Sequence, residues 1–238
     1  MGTCGNIEIK DDDYTQYYEI YEEIGRGQFS KVFKAINKKT KEMRAIKIIE
    51  IYNNNNFMKY IKNELNNMKK CSKENDNSVK FYDYFYYKDK FIIVLELCDN
   101  SLQKILDERK EGFSSEQIFN IMSQLNNTFN IMYKNKIMHG DIKLDNILVK
   151  YKDNNNNDPN INFIVKLTDY GIGKKLKKKI NAALIETNET ISPQFLEEKN
   201  YYDNKYDLWS IGIIINQLFF KECPYEGTQE DIYLGEKL

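Results

Sequence analysis

The sequence predicts an α+β chain in two parts, strands first and helices after. Three observations carry this. Apolar runs of strand type, with turn residues between them and one helical stretch among them, fill Tyr17 to Leu97. Apolar residues at helical spacing dominate from Ser114 onward. Between the two, Asp99-Asn100-Ser101 breaks a nearly all-apolar run and sets a lobe boundary near Cys98–Ser101. A chain of 238 residues, 41% of them hydrophobic, can build one large domain or two small lobes that share a cleft.

The bulk composition excludes several classes. A net charge of −1 gives no global electrostatic case for a nucleic-acid partner. Cys4, Cys71, Cys98 and Cys223 show no paired metal spacing and follow no signal peptide, so a reduced intracellular setting is expected, cytoplasmic with the nucleus left open. The longest strongly apolar stretch, Ile211–Phe220, is too short to span a membrane. Met1-Gly2-Thr3-Cys4-Gly5-Asn6 half-resembles an acylated N-terminus, with Asn6 where Ser or Thr is usual. Residues 1–16 have no periodic pattern and are expected to be a disordered leader. Oligomeric state is not legible.

From Tyr17 to Ile51 the pattern is strands and turns. Ile24-Gly25-Arg26-Gly27-Gln28-Phe29-Ser30-Lys31-Val32 joins two strand-like runs. Its two glycines allow a tight turn that presents N–H groups to phosphate oxygens; a plain β-hairpin turn is the simpler reading. Glu42–Ile51 alternates, so Met43, Ala45, Lys47, Ile49 and Ile51 share a face. A lysine there needs an anionic partner, unless the strand is an edge and the ammonium snorkels to water. Asn53–Asn56 reads as a surface loop. Phe57–Cys71 is helical in period, with Phe57, Tyr60, Ile61, Leu65 and Met68 in a stripe that also holds Glu64. Glu64 either meets a cation, Lys47 being the obvious one, or sits solvated at the stripe's border. Val79–Phe85 and Lys90–Leu97 read as a strand pair across Tyr86–Asp89, the second strand buried on both faces.

Ser114–Tyr133 is the clearest helix. Ser114 and Gln117 make a capping box, and Ile118, Ile121, Met122, Leu125, Phe129 and Met132 form a core stripe. It delivers the chain into Ile137–Leu148, which holds the only histidine, His139, with Asp141, Lys143 and Asn146 close behind. A polar loop beside a strand-like run is a place for chemistry. A hairpin with a low-complexity tip, Asp153–Asn160, leads to a strand at Phe163–Thr168 and then Asp169-Tyr170-Gly171. Lys174–Lys179 reads as a solvated basic run, and Thr187, Thr190 and Ser192 lie beyond it without periodicity. Asp207-Leu208-Trp209-Ser210-Ile211-Gly212 opens an apolar helix that Pro224-Tyr225-Glu226-Gly227 ends.

In this order and spacing the chain resembles a eukaryotic-type protein kinase of the Ser/Thr class, from about Tyr17 to Leu238. Gly25-x-Gly27-x-Phe29-Ser30-x-Val32 resembles the glycine-rich loop, with Ser30 at the third glycine. Ala45-Ile46-Lys47 resembles the strand of the ATP lysine, and Glu64 its helical partner. His139-Gly140-Asp141 through Asn146 resembles the catalytic loop, and Asp169-Tyr170-Gly171 the metal-binding Asp-Phe-Gly. Ser192-Pro193-Gln194 resembles Ala-Pro-Glu, and Asp207–Ser210 the helix that anchors the catalytic loop.

The resemblance implies a bilobal fold: an antiparallel β-sheet N-lobe with one helix over about 17–98, and a mainly helical C-lobe over about 99–238 that is expected to be incomplete. It implies an ATP and Mg2+ dependent transfer to a protein substrate. Asp141 would accept or orient the hydroxyl proton, and Lys143 would stabilise the transferred phosphoryl. Asn146 and Asp169 would hold magnesium. Lys47, fixed by Glu64, would grip the phosphates beneath Ile24, Gly25 and Gly27. Val32, Ala45 and Leu148 would sandwich adenine, the backbone of Glu96 and Cys98 would bond its edge, and Leu95 would be the gatekeeper. His139 would be structural, near Tyr170, and Asp207 would tie the loop backbone. Lys143, two residues after Asp141, and Thr187, seven before Gln194, fit a Ser/Thr enzyme. Gly140 stands where an arginine would clamp a phosphorylated activation loop. Gln194 stands for a glutamate whose arginine partner would lie past Leu238. A weak pseudokinase or ATP-binding scaffold is the second reading, and a small-molecule kinase of related fold the third.

Overall fold

The structure is a computed structural model, which describes residues 12–27, 30–51, 57–152, 163–170 and 206–224. The chain divides into two compact units. One takes residues up to Lys69 together with Lys80–Leu97; the other takes Lys70–Val79 and the chain from Cys98 onward.

The first unit is a five-stranded antiparallel sheet, in the order β1-β2-β3-β5-β4, with one helix. Its elements are β1 (Tyr18–Gly27), β2 (Ser30–Asn37), β3 (Met43–Glu50), α1 (Phe57–Ser72), β4 (Phe81–Tyr87) and β5 (Lys90–Glu96). Strand β3 is central, paired on both edges by β2 and β5, and it carries buried residues on both faces. Ala45, Lys47 and Ile49 are buried on one, and Ile46 on the other. Ile46 packs with Tyr18, Ala35, Phe85, Ile92 and Val94 in one apolar cluster. The β4–β5 hairpin turns on Lys88 and Asp89 alone, both at positive φ, the two-residue turn whose twist suits its strands. The expected strand at Val79–Phe85 therefore starts and ends two residues later. Val79 instead donates its N–H to Leu167 O in the second unit's own framework.

The expectation of a structureless leader is corrected at its end. Tyr14–Gln16 form a 3-10 turn capped by the Asp13 carboxylate, and Tyr14 packs on Phe85 and Tyr87. Asp12 N–H also donates to Tyr86 O. The aromatic surface of β4 half-buries Tyr14, a contact that the sequence pattern of this segment does not advertise.

The second unit has β6 (Asn100–Ser101), α2 (Leu102–Glu108), α3 (Ser115–Lys134), β7 (Ile147–Tyr151), β8 (Phe163–Leu167) and α4 (Tyr206–Phe220). Ser114 caps α3 through the full capping box with Gln117. Ile118, Ile121, Leu125 and Met132 are buried from α3, while Met122 and Phe129 are half-buried. Segment 70–79 joins this unit through side-chain amides as well as through the buried Cys71 and Val79. Asn75 Nδ2 donates to Thr128 Oγ1, Thr128 Oγ1 donates to Asn77 O, and Asn77 Nδ2 donates to Val165 O. Strands β6, β7 and β8 form a small antiparallel sheet. Phe113 N–H donates to Leu218 O at 2.7 Å, which ties α4 to the stretch before α3.

The expected features at Gln28-Phe29, Asn53–Asn56, Asp153–Asn160, Gly171, Lys174–Lys179, Thr187, Thr190, Ser192–Gln194 and beyond Pro224 lie outside the described residues.

Candidate active site

The second unit assembles its polar loop from three stretches of chain. α3 ends at Lys134, and Ile137 and Ile142 bury themselves on either side of the loop. β7 begins at Ile147, directly after Asn146, and pairs with β8 so that Ile147 stands opposite Leu167. The loop and the Asp169 segment are thereby neighbours, with Thr168 N–H donating to Asn146 O at 3.0 Å.

Asp207, in the first turn of α4, fixes the loop backbone. Its carboxylate accepts the N–H groups of His139 and Gly140, each at 2.8 Å, and is only 5% exposed. Charge-assisted bonds of this kind are short and strong. They hold Gly140 at φ +73, in the left-handed region that glycine enters without a Cβ penalty.

His139 is spoken for at both ring nitrogens. Nδ1 lies 3.2 Å from the Asp141 N–H and must accept it. Nε2 therefore carries the proton and donates to Thr168 O at 2.8 Å. The ring is buried, with Tyr170 at 5.3 Å between centroids. No lone pair is left for acid–base work, so the structural role expected for His139 is the one the geometry shows.

Asp141 carries a half-buried carboxylate on the same loop. Asn146 Nδ2 braces it twice, donating to Asp141 O at 2.7 Å and to Asp141 Oδ2 at 2.9 Å. Lys143 Nζ stands 3.9 Å from the same carboxylate, on a side chain 37% exposed. That contact is loose and half in water, worth little as an ion pair. It leaves the ammonium able to meet an anion. Asn146 has spent its amide nitrogen on Asp141, so its carbonyl oxygen is the group that remains to face a cation. Asp169 is half-buried at φ +61.

The first unit places its own candidates on the sheet. Ile24, Gly25 and Gly27 lie on β1, where Ile24 is exposed; Val32 on β2 stands opposite both Gly25 and Lys47. Ala45 and Lys47 are buried on β3, and Leu95 and Glu96 are buried on β5. Lys47 is flanked by β2 and β5, and is 8% exposed, so it is no edge lysine. Glu64 on α1 is 3% exposed and is no solvated border residue. A buried ammonium and a buried carboxylate in one small unit each require a counter-charge. Cys98 is half-buried and belongs to the second unit, as does Leu148 on β7.

Three residues escaped the sequence reading. Cys71, Ser78 and Thr168 surround the Tyr170 and His139 side chains. The signal was present in Tyr170 itself, since a buried phenol must find a polar partner.

The protein kinase domain family matches residues 18–237. The chain belongs to the protein kinase family. It is 32% identical over 229 residues to calcium-dependent protein kinase 5 of Plasmodium berghei, covering 94% of this chain and 38% of that protein. It is 30% identical over 194 residues to serine/threonine-protein kinase pakG of Dictyostelium discoideum, covering 80% of this chain and 15% of that protein. It is 29% identical over 236 residues to dual specificity tyrosine-phosphorylation-regulated kinase 2 of Drosophila melanogaster, covering 96% of this chain and 31% of that protein. The chain thus spans well under half the length of these relatives.

Proposed function

We propose that this domain is an active protein serine/threonine kinase that uses ATP and Mg2+. The observation that carries the reading is the double brace from Asn146 to Asp141 on a loop clamped by Asp207. Phosphoryl transfer asks a protein mainly for positioning and charge neutralisation. A carboxylate fixed at its backbone and at one oxygen, on a loop whose histidine is locked, meets the first demand.

The donor set suits magnesium. Asn146 and Asp169 offer oxygen ligands to a hard cation. Among the described residues no three His, Cys, Asp or Glu side chains gather to hold an ion by themselves. A magnesium ion bound by few protein ligands and completed by nucleotide phosphates fits that pattern. Bound there, it would neutralise charge on the phosphates. Lys47, held by Glu64, grips the phosphates. Asp141 orients the substrate hydroxyl and takes its proton, and Lys143 offers its half-exposed ammonium to the transferred group. Val32, Ala45 and Leu148 bracket the adenine, whose edge meets the backbone of Glu96 and Cys98. Lys143 two residues beyond Asp141 is the feature that favours serine and threonine acceptors.

Radiolabelled ATP with magnesium and a generic basic protein, followed by phosphoamino-acid analysis, tests the reading. Label is expected on serine and threonine, lost in Lys47→Met and Asp169→Ala, and unchanged after phosphatase pretreatment because Gly140 offers no arginine clamp. Nucleotide binding without transfer would point to a scaffold instead.

A further inference from the structure

Strand β1 lies at one edge of the first unit's sheet and β4 at the other, and no strand pairing joins them. β1 is loosely held along its length. Its one neighbour is β2, and the register between the two slips between Ile20 and Glu23 and again between Glu23 and Gly25. Tyr18 is its only buried residue. Burial therefore does little to fix the strand that carries Ile24, Gly25 and Gly27.

The chain just before β1 crosses to the opposite edge. Tyr18 meets the Phe85 ring edge-on at 6.1 Å, and Tyr17 stacks on the same ring at 5.6 Å. Phe85 is a firm anchor, 2% exposed and packed with Ile46, Ile92 and Val94. Tyr14 adds its contacts with Phe85 and Tyr87, and Asp12 N–H reaches Tyr86 O on β4. The same segment is tied to the turn after β2. Lys38 N–H donates to Tyr17 O at 2.8 Å, and Lys38 Nζ to Thr15 O at 2.7 Å. The Tyr17 hydroxyl then closes the segment on itself, donating to Asp12 Oδ2 at 2.7 Å. The charge on the acceptor strengthens that bond, and water around a tyrosine 46% exposed weakens it.

We propose that Asp12–Tyr17 is a strap that anchors the base of β1 to β4, that the Tyr17 hydroxyl on Asp12 is its latch, and that Tyr17 is thereby a positioning residue for Gly25 and Gly27 on the nucleotide phosphates. The strap stands on the geometry alone; its effect on nucleotide rests on the kinase reading.

Amide hydrogen exchange and ATP kinetics on the full chain decide it. Tyr17→Phe keeps the ring and drops the latch, and Lys38→Met releases Thr15 O. Tyr21→Phe is the control, since Tyr21 is an equally exposed tyrosine of β1 at 45%. In the nucleotide-free protein, exchange across Glu23–Gly27 is expected to rise about threefold to tenfold in Tyr17→Phe and in Lys38→Met, the range one hydrogen bond spans. Amides of β5 should keep their wild-type rates. The ATP KM should rise by a similar factor at unchanged kcat, the signature of lost binding rather than lost chemistry. Tyr21→Phe should change neither quantity. Wild-type exchange in both strap variants, or a rise spread evenly over β1 and β5, would overturn the strap. Raised exchange with a wild-type ATP KM would overturn the positioning role. If the wild-type protein transfers no phosphoryl group, the kinase reading falls, and the exchange data still decide whether the strap exists.

Discussion

Asp207 and Cys71 show how differently two buried ionisable residues serve the same unit. Asp207 offers its full charge to two backbone N–H groups. Replacing it by alanine orphans both donors beside Gly140, whose φ of +73 has no other described support. The Asp207→Ala variant is expected to lose about 3 kcal/mol of stability, the scale of hydrogen bonds to a charged group. Its transfer rate should fall on the order of a hundredfold, since Asp141 loses its register. Urea unfolding and steady-state kinetics check the two numbers. Cys71 does the opposite and stays neutral. Burial pushes its thiol up from 9.0 to about 11, against a small opposing bond from Tyr170. The unfolded chain releases this proton first, so the stability it confers is complete below pH 9 and drains away as pH rises through 11. Melting temperatures measured across that window should fall less steeply in Cys71→Ala than in the wild-type protein. The sequence made Asp207 and His139 legible because each belongs to a spaced motif. Cys71 belongs to none, and its role depends on a burial that only the folded chain shows.

The elements were legible to the degree that their signals are local. The capping box at Ser114 and Gln117 is complete within four residues, and α3 starts where those residues say it should. The apolar run Phe91–Leu97 pointed to a strand buried on both faces, and β5 is buried from Phe91 to Glu96. Strand β4 was misplaced by two residues because Val79 is apolar for another reason, its place beside Leu167. Gly112 carried no pattern at all, and the structure alone gives its reason. A Cβ there would meet Phe219 O at 1.9 Å and Leu218 O at 2.7 Å. These are backbone atoms of α4 and cannot swing aside as a side chain would. Gly112→Ala is expected to cost about 1–3 kcal/mol or more, as overpacking does. Circular dichroism melts should register the loss, with β-sheet signals of the first unit unaffected.

Across the chain, what the sequence could not show was which segment belongs with which. The two compact units part between Leu97 and Cys98, yet Lys70–Val79 sits with the helical unit although it precedes two strands of the sheet. Its membership is written in Asn75 and Asn77, whose partners on α3 and β8 lie 53 and 88 residues away. Asparagines in an asparagine-rich chain look like bias until their partners are seen. The same long reach has a consequence during synthesis. The carboxylate that sets the loop lies 68 residues beyond His139. A ribosome that has made Asp141, Asn146 and Asp169 has therefore not yet made the residue that clamps the loop backbone at His139 and Gly140. Until α4 has emerged and docked, the nascent chain holds this loop without its clamp, and the loop's final geometry arrives late and all at once.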